Sequence, residues 1–338
     1  MKALVTGGTG FLGRRLVRRL LRQGVALRCL VRPTSDLTKL REFVGSAGTD
    51  QLELIPCSLG RIDSFPEIAA GCDVVFHLAA AVTGSTAVLF MENVVGTRKL
   101  LDAVSQSPKP RFILVSSLGV YSTFHLRQGD WVDEKCPLDP KPHWRDAYTY
   151  SKIVQEQAVW EAHQKKKIEL FVVRPGVIYG PGRDCITARV GLRFGDILVK
   201  MGGRQHLPYT FVENCADAIA LAGELSGANG EAVNIVDDDP PRARDLLRQY
   251  QSSVKRLRVV PIPYPTIGPL SQLFEWYSRR SDGQLPAVLT RYKSMAQWKP
   301  LHYSNAKAKK MLGWTPRINF AEGMERTFAS LRQAGAGI

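Results

Sequence analysis

Tyr148 and Lys152 stand four residues apart in Tyr148-Thr149-Tyr150-Ser151-Lys152. On a helix this spacing puts both side chains on one face, within reach of a common ligand. A phenol titrating near pH ~10 is a poor general base at neutral pH. An adjacent ammonium, together with the positive ring of an oxidised nicotinamide, favours the phenolate and lowers its pKa. Lys152 can do this and also bond a ribose. Upstream, Leu114-Val115-Ser116-Ser117 ends a strand, at the carboxyl edge where open parallel sheets bind ligands. Ser117 can there hold a substrate oxygen.

A second constellation binds phosphate rather than moving protons. Thr6-Gly7-Gly8-Thr9-Gly10-Phe11-Leu12-Gly13 follows an apolar run directly and opens a helical pattern. The glycines at 7, 10 and 13 fall at the tight turn, at a pyrophosphate and at a helix-sheet contact, with backbone N–H groups and the helix N-terminus facing the anion. The strand before and helix after supply the context that a bare glycine pattern lacks. In such folds an acid about 20 residues on bonds the adenosine ribose, whereas an Arg accommodates a 2′-phosphate. Here the second strand ends at Val31-Arg32, followed by Pro33-Thr34-Ser35. Arg32 and Ser35 as phosphate contacts lean the reading towards NADP(H). With Arg32 as a solvated cation, or stacked on adenine, the cofactor is NAD(H).

These residues need a scaffold, and the chain alternates apolar runs at 3–5, 26–31, 73–78, 112–116 and 170–173 with helical patterns at 11–23, 93–105 and 148–164. This reads as βαβ units around a parallel sheet. The expected fold is α/β, a doubly wound Rossmann sheet with a smaller C-terminal substrate-binding domain. The dinucleotide-binding part is expected over 1–180 and the substrate part over 181–338, divided at Tyr179-Gly180-Pro181-Gly182, with parts of about 212–240 packing back on the first. The 338 residues, 44% hydrophobic and 23% charged, exclude wholesale disorder. A net charge of +15 attracts anions but does not choose among them. Six scattered cysteines without C-x-x-C, and histidines without metal spacing, suggest neither a metal nor disulfides, and point to a cytoplasmic location. No leader and no run of apolar residues long enough to span a bilayer is read. The arginines at 14, 15, 18, 19 and 22 read as a solvated helix face, and no nucleic-acid-reading module accompanies them. The stretch 269–280 is either a substrate-pocket or core helix, or a weak membrane-surface helix, because an apolar face runs into Arg279-Arg280.

The motifs together resemble the extended short-chain dehydrogenase/reductase family: the Thr6–Gly13 loop, Phe76-His77-Leu78-Ala79-Ala80, Asn93-Val94-Val95-Gly96-Thr97, Ser116-Ser117 before Val120-Tyr121, Tyr148-x-x-Ser151-Lys152, and Arg174-Pro175-Gly176-Val177-Ile178-Tyr179-Gly180-Pro181-Gly182. The resemblance covers most of the chain. It implies Ser117, Tyr148 and Lys152 as the catalytic set and Asn93 as a residue shaping the same site. For the cofactor it implies Gly7, Thr9, Gly10, Phe11, Leu12, Gly13, Leu59, Leu78, Ala79 and Ala80, with Pro175, Gly176, Val177 and Ile178 at the nicotinamide carboxamide. It also implies a homodimer.

Two departures stand out. Cys57-Ser58-Leu59 replaces the family's frequent Gly-Asp-Leu, so that an adenine contact made there by Asp is absent or replaced by Ser58, and Ser122 replaces a Gly after Val-Tyr. At the position where nucleotide-sugar members carry a diphosphate-binding Arg this chain has Leu207, which removes a charge-assisted contact. The likeness is to the branch of 3β-hydroxysteroid dehydrogenase relatives. The expectation is NADP(H)-dependent interconversion of a secondary alcohol and a ketone on a hydrophobic small molecule, either steroid-like or a long-chain β-keto acid. The rivals are a nucleotide-sugar epimerase or dehydratase with tightly bound NAD, and a non-catalytic dinucleotide-binding regulator.

Overall fold

Aliphatic runs such as Val74-Val75-Phe76 and Phe112-Ile113-Leu114-Val115 are buried on both faces, the signature of strands inside a parallel sheet. The computed structural model describes residues 1–45, 49–60, 67–106, 111–281 and 289–335. Its centre is a seven-stranded sheet of β1 (Lys2–Thr6), β2 (Ala26–Val31), β3 (Leu52–Pro56), β4 (Val74–His77), β5 (Arg111–Val115), β7 (Glu169–Pro175) and β12 (Glu231–Ile235). The order is β3-β2-β1-β4-β5-β7-β12 and every pair is parallel. This is the doubly wound arrangement, with its switch point between β1 and β4. The seventh strand comes from beyond the glycine-rich break at Gly180 to Gly182.

Alternate residues of each strand supply two cores. Val5, Phe76, Ile113 and Val173 face α1 (Gly13–Leu21) and α6 (Val212–Glu224), meeting Leu16, Leu20 and Ile219. Leu4, Val75, Phe112 and Val172 face the other way, onto α4 (Gly96–Val104) and α5 (Ala147–Gln164), meeting Leu100, Val104 and Val159. Each such side chain contributes about 1.5–3 kcal/mol by burial. Sequence periodicity runs smoothly through 93–105, yet the structure divides this stretch. A short α3 (Thr86–Phe90) leads into a single π-helical turn over Met91–Val95, and only then does α4 begin.

The α1 arginines are not the uniformly solvated face expected of them. Arg15 is buried, donating to the carbonyls of Phe11 (2.7 Å) and Pro181 (2.9 Å), and lies over the Phe11 ring. Arg19 pairs with Asp217 at 2.8 Å, and Arg18 stacks on Phe43 of α2 (Thr38–Val44). Carbonyls, the Asp217 carboxylate and aromatic rings, several of them from distant segments, hold guanidinium groups that spacing alone assigns to water.

The remaining elements rim the carboxyl end of the sheet. They are the parallel pairs β6 (Trp131–Val132) with β14 (His302–Tyr303) and β8 (Val177–Tyr179) with β11 (Tyr209–Phe211), and a three-stranded sheet of β9 (Gly191–Phe194), β10 (Ile197–Met201) and β13 (Arg258–Ile262). Around them lie α7 (Ala243–Ser253), α8 (Tyr264–Arg280), α9 (Arg291–Trp298), α10 (Ala306–Leu312) and α11 (Phe320–Gly335). A third core of Tyr179, Tyr209, Phe211, Leu246 and Phe328 holds β8 and β11 against α7 and α11. Among the described residues no helix is long and apolar enough to cross a membrane.

Candidate active site

The phosphate loop is shaped by what a side chain would hit. Gly7 adopts φ +76°, and a Cβ there would lie 2.7 Å from the Ala79 amide nitrogen; one at Gly13 would overlap the Gly7 carbonyl. Only glycine admits both the left-handed turn and this approach. Gly10 donates its own amide to the Gly7 carbonyl (3.0 Å), while the amides of Phe11 and Leu12 find no protein acceptor among the described residues. Unpaired N–H groups at the start of α1 are what a pyrophosphate needs. The loop therefore fits a dinucleotide.

Beside it opens a cleft of about 410 Å³. Its walls bring together Gly7, Thr9, Gly10, Arg32, Ser35, Leu59, Leu78, Ala79 and Ala80, and add Cys57, Val82, Thr83, Val88 and Glu92. Phe11, Leu12, Gly13, Ser58 and the segment Pro175 to Ile178 lie outside those walls. The Ser58 carbonyl accepts from the Cys57 thiol. The Gly176 and Val177 amides already donate to Ile235 (2.9 Å) and Pro208 (2.6 Å), so these two donors are not free for a carboxamide.

At the carboxyl end of β5 two adjacent serines diverge. Ser116 is buried and its Oγ donates to Glu156 at 2.5 Å. Ser117 is extended, and its Oγ accepts from the Gly119 amide (3.1 Å), which leaves the hydroxyl proton free to donate. A Cβ on Gly119 would sit 3.4 Å from Ser117 Oγ and 3.6 Å from Thr149 Oγ1, so the Ser117 hydroxyl and the first turn of α5 meet across a glycine. That turn is capped by Asp146, which accepts from the Thr149 amide at 2.9 Å, and it carries Tyr148, with Lys152 one turn further on.

Burial pushes the Tyr148 phenol up to about 12, opposed by the Arg183 charge and assisted by Asp146. It is a protonated acid at neutral pH. Burial pulls Lys152 down to about 8, with Glu156 working the other way. Lys152 Nζ donates to the Val115 carbonyl (2.8 Å) and to Gln155 Oε1 (2.5 Å). Gln155 in turn donates to Thr97 Oγ1 (2.8 Å), whose hydroxyl donates to the Asn93 carbonyl (2.6 Å). The Thr97 oxygen lies 2.7 Å from His77 Nε2, with Gln155 Nε2 3.3 Å from the same nitrogen, and His77 Nδ1 lies 2.7 Å from Thr6 Oγ1. Thr6 Oγ1 accepts from the Ala79 amide (3.2 Å). Burial first, and the Lys152 charge second, pull His77 down to about 3, so the ring is neutral. A chain of neutral groups therefore ties the lysine to the loop that holds Gly7.

Asn93 lies in the π-helical turn, fully buried. Its side chain bridges the Ala81 amide (2.7 Å) and carbonyl (3.0 Å) and donates to Ser151 Oγ (2.9 Å). It positions the cleft wall against α5. Gln155 and Arg183 escaped the sequence reading and Thr97 entered it only as the end of a motif, without a role, although Gln155 follows Lys152 by three residues on the same helix face and Thr97 follows Asn93 by four.

A neighbouring patch is aromatic. Arg145 pairs with Asp139 (2.7 Å) and donates to the Gly119 carbonyl (3.0 Å), while Tyr292 of α9 donates to Asp139 at 2.5 Å. Tyr292 stacks on Phe124 and meets Trp144 edge-on, with ring centroids 5.5 Å and 5.4 Å away. Ser122 is buried, its amide donating to Pro137 (2.9 Å), and Lys299 Nζ binds the carbonyls of Thr123, Phe124 and Leu126. The loop after Tyr121 is thus fastened from the C-terminal part of the chain.

Comparison with known proteins agrees with this geometry. The family model described as the NAD dependent epimerase/dehydratase family matches residues 3–236. Cinnamoyl-CoA reductase 1 of Petunia hybrida is 35% identical, over 98% of this chain and 92% of that protein. The human sterol-4-alpha-carboxylate 3-dehydrogenase, decarboxylating, is 28% identical over 98% and 88%. A crystal structure of UDP-glucuronic acid 4-epimerase from Bacillus cereus, in complex with NAD and a fluorinated substrate analogue, superposes with a TM-score of 0.74 at 20% identity, covering 99% of this chain and all of that one, and so shares the fold. With a glycine loop shaped for a dinucleotide beside a Ser-Tyr-Lys set, and a family model spanning the whole central sheet, this chain belongs to the NAD-dependent epimerase/dehydratase family of extended short-chain dehydrogenases/reductases.

Proposed function

We propose that this enzyme is an NADP(H)-dependent oxidoreductase that interconverts a ketone and a secondary alcohol on a largely apolar small molecule. The observation that carries the reading is a Ser117 hydroxyl with a free proton set against the first turn of α5, the helix that carries both the protonated Tyr148 phenol and the buried Lys152 ammonium. Ser117 donates to the substrate oxygen and fixes the carbonyl. Tyr148 gives its proton to that oxygen as negative charge develops on it, and Lys152 strengthens the phenol as an acid by its charge. The dinucleotide supplies the hydride. In the oxidative direction the same groups run in reverse, with Tyr148 taking the hydroxyl proton.

Arg32 supports NADP(H): it directly follows β2, is exposed, lines the cleft with Ser35, and pairs with no carboxylate among the described residues. An apolar substrate is supported by the Phe124, Trp144 and Tyr292 cluster, and by Leu207, which is wholly buried where a nucleotide sugar's diphosphate would want a cation. The relative named for a sterol-carboxylate dehydrogenase points the same way. The six free cysteines fit a reducing compartment, the cytoplasm.

The test follows reduced-nicotinamide absorbance with NADPH and NADH separately, offering a long-chain β-keto acid, a 3-ketosteroid and a UDP-hexose, with Tyr148→Phe as control. Tyr148-dependent consumption of NADPH with an apolar ketone is expected. Conversion of the UDP-hexose without net cofactor change overturns the reading in favour of an epimerase.

A further inference from the structure

The apolar stripe of α8 faces outward. Leu273, Trp276 and Tyr277 fall at i, i+3 and i+4, the spacing by which a surface helix normally meets its core, yet they are 58%, 53% and 54% exposed, and Phe274 beside them is 40% exposed. The helix is anchored by its opposite side. Ile267 packs with Met201, Leu289 and Trp298, and the Ser271 hydroxyl lies 2.8 Å from that of Ser294 on α9. The outward orientation is therefore fixed by packing.

Among the described residues, the charges that α8 carries along this stripe are of one sign. Arg280 continues it at i+7 from Leu273 and lies over the Trp276 ring, and Arg279 follows the same turn, both exposed. Glu275 is the only acidic residue of α8 and it points away, half-buried, accepting from the Arg291 amide at 2.7 Å. Four large apolar side chains, two of them Trp and Tyr, bordered by arginines, are what a helix lying in a bilayer's headgroup region presents. A second copy docked on the same stripe by a two-fold axis would set the arginines against their own kind, which disfavours that occupant.

We propose that α8 is a peripheral membrane-binding helix that docks on anionic lipid, with Leu273, Phe274, Trp276 and Tyr277 entering the interface and Arg279 and Arg280 pairing with phosphate or carboxylate headgroups. Docking there places an enzyme for apolar molecules where such molecules partition. The surface itself is independent of which substrate is turned over.

Co-flotation with liposomes tests this, using phosphatidylcholine alone against phosphatidylcholine with about 30% phosphatidylserine, a charge density in the range of anionic leaflets. The full chain is expected to float with the anionic vesicles, less so at high salt, and to stay behind with neutral ones. The double variant Leu273→Glu/Trp276→Glu is expected to lose flotation. Arg279→Gln/Arg280→Gln is expected to weaken it roughly tenfold or more. Both variants should keep the wild-type melting temperature, since all four side chains face solvent. Wild-type protein that ignores anionic vesicles overturns the proposal, as does undiminished flotation of the glutamate variant. A concentration-dependent dimer on gel filtration that the glutamate variant abolishes would assign the face to a second copy and equally overturn it.

Discussion

Helices α5 and α8 are nearly the same length, 18 and 17 residues, and each inverts the usual partition of side chains in its own way. The first buries Lys152, Gln155 and Glu156 completely; the second leaves Leu273, Trp276 and Tyr277 in solvent. Burying a charge is costly unless it is paired and hydrogen-bonded, and α5 meets that condition group by group. Lys152 has Val115 and Gln155, while Glu156 has Arg174, Ser116 and Trp160. On α8 the apolar groups have no such answer within the described protein. An inverted helix with its partners inside the fold marks a built site; one without them marks a surface for something else.

Tyr148→Phe tests the α5 side of this contrast hardest. It removes only the phenolic proton, so turnover should fall by about 10²–10⁴-fold, the usual worth of a positioned general acid. Urea unfolding should barely move, because Tyr148 donates no hydrogen bond to the protein among the described residues.

Glu156→Ala should do the reverse, acting on stability first. It strands the Arg174 guanidinium, which also binds the Tyr121 hydroxyl at 2.7 Å, and it deprives Ser116 of its acceptor. Breaking a buried pair from one side costs about 3–5 kcal/mol, measurable as a lowered urea midpoint. A loss under about 1 kcal/mol would mean that water replaces the carboxylate, and that α5 is less closed than its hydrogen bonds imply.

Much of this was legible in the residue order, and the misses have physical causes. Tyr148, Lys152 and the glycine loop declare themselves because their spacing and local geometry do the work within a few residues. Gln155 was as close but is a neutral amide that acts through Lys152, and searching for chemically active side chains passes over it. The burial of Arg15 depends on the Pro181 carbonyl, 166 residues away, and no local pattern carries that. The π-helical turn at Asn93 interrupts a run whose apolar period is unbroken. For 269–280 the composition announces an amphipathic helix, but which side is covered depends on the packing of Ile267 and Ser271.

Gln155 lies between the extremes. Gln155→Leu takes an acceptor from a buried ammonium and should cost about 1–3 kcal/mol. Gln155→Glu keeps the acceptor and adds charge. The free protein's Lys152 titrates at about 8, so ketone reduction should fall as pH rises through that value and the lysine loses the charge that strengthens Tyr148. A carboxylate at 155 stabilises the ammonium, raises its pKa and shifts this falling limb to higher pH. A pH profile of turnover that both substitutions leave in place would show that Gln155 only fills space beside Thr97 and His77.

The smallest effect is expected where a large apolar side chain lies in solvent. In a core, replacing a tryptophan by a small residue costs about 3–5 kcal/mol through lost burial and the cavity left behind. Trp276 offers little of either, because its ring meets solvent on one side and the Arg280 guanidinium on the other, at 5.9 Å. An exposed cation–π contact is worth about 0.5–1 kcal/mol, and helix propensity changes little because serine and tryptophan rank alike. Trp276→Ser without lipid should therefore shift unfolding by less than about 1 kcal/mol, while Trp298→Ser, on the buried side of α9, should cost several times more. If the two substitutions proved equally damaging, the outward stripe of α8 would be part of the fold's own core, and the contrast with α5 would collapse.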